Sequence, residues 1–178
     1  MSFFETIHEE AARQQLRFVV IGGLAVNHYG YTRETGDLDF LISKIDQARW
    51  LEMLLGFGYT IFQNGESFIQ LSQPEDNAWP VDLMLVEEKT FAVIFHDRKD
   101  SNLYGINTFV PSLEHLLALK LHALKNTRIN RFLRDYLDVE NLARINKVDI
   151  QSKNIRELFL KYGTLDLYEK ISRALIEQ

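Results

Sequence analysis

Three aspartates in this sequence have a spacing that suits a divalent metal ion. Asp37 and Asp39 alternate with apolar residues in a run typical of a β-strand, where side chains two positions apart share one face. Such paired oxygens suit Mg²⁺ or Mn²⁺, although the same pair at a strand start also serves as a turn or cap. Asp82 interrupts a second apolar run. If the two strands are neighbours, three carboxylates converge to bind metal ions for phosphoryl transfer; otherwise Asp82 faces solvent.

A pair of glycines, Gly22 and Gly23, follows a short β-branched run at residues 17–21. Glycine lets a phosphate group approach the backbone, and a helix that begins there offers unpaired N–H groups and the positive end of its dipole. A tight turn without any ligand is the other interpretation of this pair.

The elements that must position these residues change in character near Pro111. Before it, short apolar runs alternate with turns, and after it the periodicity is helical almost throughout. The predicted strands are residues 17–21, 37–43, 59–62, 67–71 and 81–86, with 104–109 as a strand or turn. The predicted helices are residues 4–15, 24–29, 46–55, 88–95, 112–125, 130–145, 152–162 and 165–176. The predicted class is α+β, with a small mixed sheet in residues 1–110 and a helical segment, 111–178, packed on it as one compact unit.

Composition bounds the class of protein. The chain has 178 residues, 46% of them hydrophobic, and a net charge of −5, which is an ordinary globular balance. It has no cysteine, which excludes disulfides, thiolate zinc sites and a cysteine nucleophile. It has no apolar run of about 20 residues, and its start, acidic by Glu5, lacks the features of a signal peptide. We therefore expect a cytoplasmic protein without a membrane partner.

Positive charge is concentrated in the helical half. From Lys120 to Arg134 there are five basic residues and no acidic one. Such a segment would attract a triphosphate or an RNA backbone, or it is simply a solvated helix face. Lys120 lies among apolar residues, where a phosphate contact would explain its charge. Asp135 or Asp138 could orient Lys120 or Arg134, or could be an ordinary acid of the first helical turn.

Together these motifs resemble the nucleotidyltransferase fold of the DNA polymerase β superfamily, and within it the AbiEii/AbiGii-type toxin nucleotidyltransferases. The resemblance spans about residues 17–142. Its residues are, in chain order, Gly22, Gly23, Gly30, Arg33, Thr35, Asp37, Asp39, Asp82, Lys120, Arg134, Asp135 and Asp138. The wider superfamily often carries serine where this chain has Gly23.

The resemblance implies an enzyme that transfers a nucleoside monophosphate from a nucleoside triphosphate, such as ATP, to an acceptor hydroxyl. It implies that Asp37, Asp39 and Asp82 are catalytic and bind Mg²⁺ or Mn²⁺. The residues it assigns to the nucleotide are Gly22, Gly23, Arg33, Thr35, Lys120, Arg134 and Asp135. A toxin of this kind would modify a tRNA end or a protein, and would have a separate antitoxin protein as its partner.

Two alternatives stay open at this point. The first is a transferase for a small molecule such as an aminoglycoside, which would need an acceptor pocket instead of a basic surface. The second is a non-catalytic nucleotide-binding or interaction module that has kept the fold.

Overall fold

The structure is a computed structural model, which describes residues 2–126 and 129–176. Helices and strands are mixed in the first part of the chain, and helices alone follow. The elements are α1 (Phe3–Arg13), β1 (Val19–Val20), α2 (Gly22–His28), β2 (Leu38–Ser43), α3 (Gln47–Gly56), β3 (Thr60–Asn64), β4 (Phe68–Ser72), β5 (Val81–Val86), α4 (Glu88–His96), β6 (Lys99–Leu103), β7 (Ile106–Val110), α5 (Leu113–Asn126), α6 (Ile129–Ile145), α7 (Lys153–Tyr162) and α8 (Leu165–Ile176). This order confirms the predicted α+β class with a helical C-terminal segment.

Five strands form a mixed sheet in the order β1-β2-β5-β4-β3. The central pair, β2 and β5, runs parallel, and the other neighbours are antiparallel. Leu38 and Phe40 on β2 are buried, as the alternation of the sequence predicts. Because parallel strands begin at the same edge of a sheet, the first residues of β2 and β5 lie side by side.

An aromatic cluster lies at the centre of the core around this sheet. The rings of Phe18, Phe40 and Trp50 have centroids 5.3 to 5.5 Å apart, and all three side chains are buried. They come from the β1 segment, from β2 and from α3. The cluster therefore fixes the strand that carries Asp39 against the elements on both sides of it in sequence.

The chain divides into two compact units. We call them the sheet unit, formed by the chain up to Ala25 together with Arg33–Ser112, and the helical unit, formed by Val26–Thr32 and the chain from Leu113 onward. Within the helical unit the side-chain amide of Asn146 donates to the carbonyl of Tyr29 at 3.0 Å, which ties Val26–Thr32 to the end of α6. No helix among the described residues is long and apolar enough to cross a membrane.

One hairpin differs from the sequence prediction. The sequence does not predict strand β6, Lys99–Leu103, because its polar residues have low strand propensity. It pairs with β7 through a two-residue turn in which Tyr104 and Gly105 both have positive φ, 54° and 86°. Two positive φ angles define the turn type that best fits the twist of a hairpin. Tyrosine in the first position hides this turn from a sequence pattern that looks for Asn-Gly or Asp-Gly.

Candidate active site

The structure brings the three predicted aspartates together. In the register of β2 with β5, Asp39 lies directly opposite Asp82, and Asp37 comes immediately before β2. One carboxylate oxygen from each of the three residues lies within 4.8 Å of the others, and all three side chains are half-buried. The strands are neighbours, so the condition that the sequence left open is met.

The three carboxylates fit a hard divalent cation. Two like charges 4 Å apart near a protein surface repel each other by about 4 kcal/mol, so a group of three needs compensation. Thr35 Oγ1 donates to Asp37 Oδ1 at 2.8 Å, and Gln70 Nε2 donates to Asp82 Oδ2 at 2.9 Å. Each of these donors orients the carboxylate that it contacts. A set of oriented carboxylate oxygens is the donor chemistry that Mg²⁺ and Mn²⁺ prefer.

Gly22 is held against Asp39. The backbone N–H of Ile21 donates to the carbonyl of Asp39 at 2.9 Å, which joins the end of β1 to β2. A Cβ atom at position 22 would lie 1.8 Å from Asp39 Oδ2, and the residue has a φ of +62°. Only glycine meets both conditions. The structure thus gives Gly22 a role in accommodating a carboxylate, while its contact with a phosphate stays a prediction.

Gly23 lies beside two other predicted nucleotide-binding residues. A Cβ atom there would come 2.5 Å from Thr35 Oγ1 and 3.1 Å from Arg33 Nη1. The hydroxyl of Thr35 therefore occupies the space that a serine at position 23 would need, which accounts for the glycine. Gly22, Gly23, Arg33 and Thr35 lie together at the carboxylates, and their binding of a nucleotide stays a prediction.

Lys120 lies in the helical unit, between two acids of α6. Its Nζ is 2.8 Å from Asp135 Oδ1 and 2.7 Å from Asp138 Oδ2. The side chain of Lys120 is 11% exposed and that of Asp138 is fully buried. We call Lys120, Asp135 and Asp138 the buried ion triad. Two carboxylates compensate this ammonium within its own unit, so Lys120 contributes little to an exposed basic surface.

The other members of the basic segment are only partly described. Lys125 and Arg134 are exposed, so these two cations are accessible to an anionic ligand. Arg128 and the side chain of Arg131 lie outside the described residues. The nucleotide-binding roles of Lys120, Arg134 and Asp135 stay predictions.

The sequence analysis does not predict the contact between Gln70 and the carboxylate of Asp82. The Asn64-Gly65 pair predicts the hairpin of β3 and β4, and the buried Ile69 and Leu71 put Gln70 on the opposite face of its strand. What the sequence does not contain is the pairing of β4 with β5, which sets Gln70 opposite Asp82.

A mixed sheet with acids on its central parallel strands, followed by a run of helices, fits the nucleotidyltransferase class of enzymes that the sequence motifs resemble. The chain belongs to the AbiEii family within that class. The family model described as "Nucleotidyl transferase AbiEii toxin, Type IV TA system" matches residues 82–178, more than half of the chain, and confirms the predicted family. The match begins at Asp82, so Asp37 and Asp39 precede it. No curated protein matches the chain by sequence.

Solved structures share the fold at low sequence identity. The antibiotic-resistance factor ANT(2″)-Ia, solved in complex with adenylyl-2″-tobramycin, has a TM-score of 0.66 at 10% identity, with 89% of this chain and 94% of that chain covered. The lincosamide antibiotic adenylyltransferase LnuA, solved with lincomycin, has a TM-score of 0.57 at 16% identity, with 80% and 95% covered. An antigenic nucleotidyltransferase-like protein from Paracoccidioides brasiliensis has a TM-score of 0.53 at 13% identity, with 97% and 94% covered.

Proposed function

We propose that this chain is a toxin-type nucleotidyltransferase that uses Mg²⁺ to move a nucleoside monophosphate from a nucleoside triphosphate to a hydroxyl group of tRNA or of a protein. The register that pairs Asp39 with Asp82 carries the proposal, because it forms a three-carboxylate group with Asp37. Membership of the AbiEii family supports nucleotidyl transfer as the reaction. The description of that family as a toxin of a type IV system supports a macromolecular acceptor and a separate antitoxin protein.

Asp37, Asp39 and Asp82 would hold the metal ion, Mg²⁺ or Mn²⁺. Bound divalent cations would offset the charge of the phosphates and make the acceptor hydroxyl more acidic. Thr35 and Gln70 keep two of the carboxylates oriented through their hydrogen bonds.

Gly22, Gly23 and Arg33 would bind the triphosphate. The two glycines lie beside the carboxylates without a side chain of their own, and the guanidinium of Arg33 lies next to Gly23. Backbone N–H groups and a guanidinium are the donors that phosphate oxygens accept most readily. We expect Thr35 to act on the nucleotide through Asp37, to which its hydroxyl donates.

The reaction exchanges one phosphorus–oxygen bond for another. The acceptor oxygen forms a bond to the α-phosphorus, the bond between that phosphorus and the oxygen bridging to the β-phosphate breaks, and pyrophosphate leaves with the electron pair. A carboxylate oxygen of Asp82 would take the proton of the acceptor hydroxyl, which is the role of a general base.

Label transfer tests this proposal. The protein is incubated with Mg²⁺ and each α-³²P-labelled nucleoside triphosphate, in the presence of total tRNA or of lysate protein. Asp37→Asn, Asp39→Asn and Asp82→Asn are compared with Asp76→Asn, which changes an exposed aspartate between β4 and β5. We expect label on RNA or protein with wild type and Asp76→Asn, and at least a hundredfold less with the other three.

The remaining outcomes separate the alternatives. Label that appears only on an added hydroxyl-rich small molecule would show that the acceptor is a small molecule and not a macromolecule. A bound nucleotide at a hundredfold excess over its Kd stabilises a protein by about 2.7 kcal/mol. Absence of both transfer and a rise in melting temperature with Mg²⁺ and nucleotide would overturn the enzymatic proposal in favour of an interaction module.

A further inference from the structure

The polar side chains of the site continue across the sheet beyond Asp82. Strand pairing sets Asp39 opposite Asp82, Asp82 opposite Gln70, and Gln70 opposite Gln63. Residues that are directly paired across strands project to the same face, so these four form one row from β2 to β3. The row changes from carboxylates to carboxamides between β5 and β4.

The two carboxamides differ in what they contact. Gln70 is half-buried, and its Nε2 donates to Asp82 Oδ2 at 2.9 Å. Its neighbours Ile69 and Leu71 are buried, which fixes β4 and therefore the point from which the amide reaches Asp82. Gln63 is one strand further from the carboxylates and is exposed. The chain thus contains two glutamines on one face, of which one contacts a carboxylate and the other provides a matched comparison.

We propose that Gln70 is a positioning residue, which holds the carboxylate of Asp82 in the orientation that binds a divalent cation. The inference rests on the proposed function, since it assigns a role at the same site. A neutral amide suits this task, because lysine or arginine in its place would compete with the cation, whereas glutamate has no proton to donate at neutral pH. Groups that hydrogen-bond to metal ligands in this way typically account for 10- to 100-fold in metal affinity or activity.

Manganese binding tests the role of Gln70 independently of catalysis. The Kd for Mn²⁺ is measured at pH 8 from the electron paramagnetic resonance signal of the free ion, with wild type, Gln70→Met, Gln70→Asn, Gln63→Met and Asp82→Asn. Methionine keeps the length of the side chain without a donor, and asparagine keeps the amide but shortens the side chain by one methylene group. We expect the Kd to rise about 10- to 100-fold in Gln70→Met. We expect the Kd to rise in Gln70→Asn as well, because its amide no longer reaches Asp82, and to stay within twofold of wild type in Gln63→Met.

Melting temperatures without metal show whether each variant folds. A folded Gln70→Met variant with the Kd of wild type would overturn the inference. A loss of Mn²⁺ affinity in Gln63→Met equal to that in Gln70→Met would overturn it as well. If Gln70→Met does not fold, a raised Kd in Gln70→Asn supports the inference and a wild-type Kd in that variant overturns it. Tight wild-type binding that Asp82→Asn abolishes keeps the proposed function whatever Gln70 does. Absence of Mn²⁺ binding to wild type would overturn the inference, while label transfer would still decide the proposed function.

Discussion

At the scale of single residues, the missing side chain of Gly22 leaves room for the carboxylate of Asp39. A Cβ atom at this position would lie 1.8 Å from Oδ2 and 2.4 Å from Cγ of Asp39, distances at which the carboxylate must move. The φ of +62° adds a second penalty, because residues with a side chain pay about 1 to 3 kcal/mol for strained backbone regions. The first penalty acts on Asp39 and the second on the backbone, so the two can be measured separately.

We predict that Gly22→Ala abolishes the rise in melting temperature caused by Mn²⁺ and destabilises the protein more than Gly105→Ala. Gly105 is the matched control, since its φ is +86° but a Cβ atom at this position would meet nothing within 4 Å. Gly105→Ala introduces the backbone strain alone. We therefore expect it to lower the free energy of unfolding by about 1 to 3 kcal/mol and to leave the rise in melting temperature with Mn²⁺ unchanged. Thermal unfolding with and without Mn²⁺ measures both effects. A normal Mn²⁺ response in Gly22→Ala would mean that the position of Asp39 is not critical.

At the scale of elements, the buried ion triad joins α5 to α6 inside the helical unit. Asp135 and Asp138 are three residues apart on α6, so both carboxylates lie on one face and reach the same ammonium. Removal of the cation would leave two buried carboxylates facing each other, whereas removal of one acid would leave an intact ion pair. The triad is therefore more sensitive to the loss of Lys120 than to the loss of either aspartate.

We predict that Lys120→Met lowers the free energy of unfolding by about 3 to 5 kcal/mol, the usual cost of an uncompensated buried charge. Asp138→Asn keeps the contact of Lys120 with Asp135, so its loss should be nearer 1 to 3 kcal/mol, roughly that of a buried hydrogen bond. Urea denaturation measures both. Lys170→Met is the control, because Lys170 pairs with Asp166 at 2.9 Å in an exposed position. We expect this substitution to lower the free energy of unfolding by about 1 kcal/mol or less. Equal losses for Lys120→Met and Lys170→Met would contradict a structural role for the triad.

The strands of the site can be predicted from the sequence, but their pairing cannot. Apolar alternation around Asp39 and Asp82 is a local property, so β2 and β5 could be predicted from it. Whether the two acids meet depends on the pairing of strands separated by α3 and a hairpin, and no local pattern contains that information. The hydrogen bond from Gln70 to Asp82 is hidden for the same reason, because it depends on the register of β4 with β5. Close approach at Gly22 likewise appears only when Asp39 is placed in three dimensions.

At the scale of the whole molecule, acidification acts in two opposite directions. The net charge of −5 shrinks as the pH falls toward the pI of about 5.5, which weakens overall self-repulsion. Burial lowers the pKa of the half-buried His8 below the ordinary histidine value of 6.5. The ring of His8 packs edge-on against buried Phe18, with centroids 5.6 Å apart, and this apolar contact disfavours its charged form. Loss of stability in mild acid would therefore come from His8 and not from net charge.

We predict that the free energy of unfolding falls between pH 7.5 and pH 5.5. The unfolded chain takes up a proton at His8 near pH 6.5 and the folded chain only at lower pH, so the contribution is present above that value and is lost as the pH falls through it. Each unit by which burial lowers the pKa corresponds to about 1.4 kcal/mol. Urea denaturation across this range should show a smaller fall for His8→Gln than for wild type. His96→Gln, which changes a histidine with 86% of its side chain exposed, should behave as wild type. An undiminished fall in His8→Gln would assign the acid sensitivity to other groups.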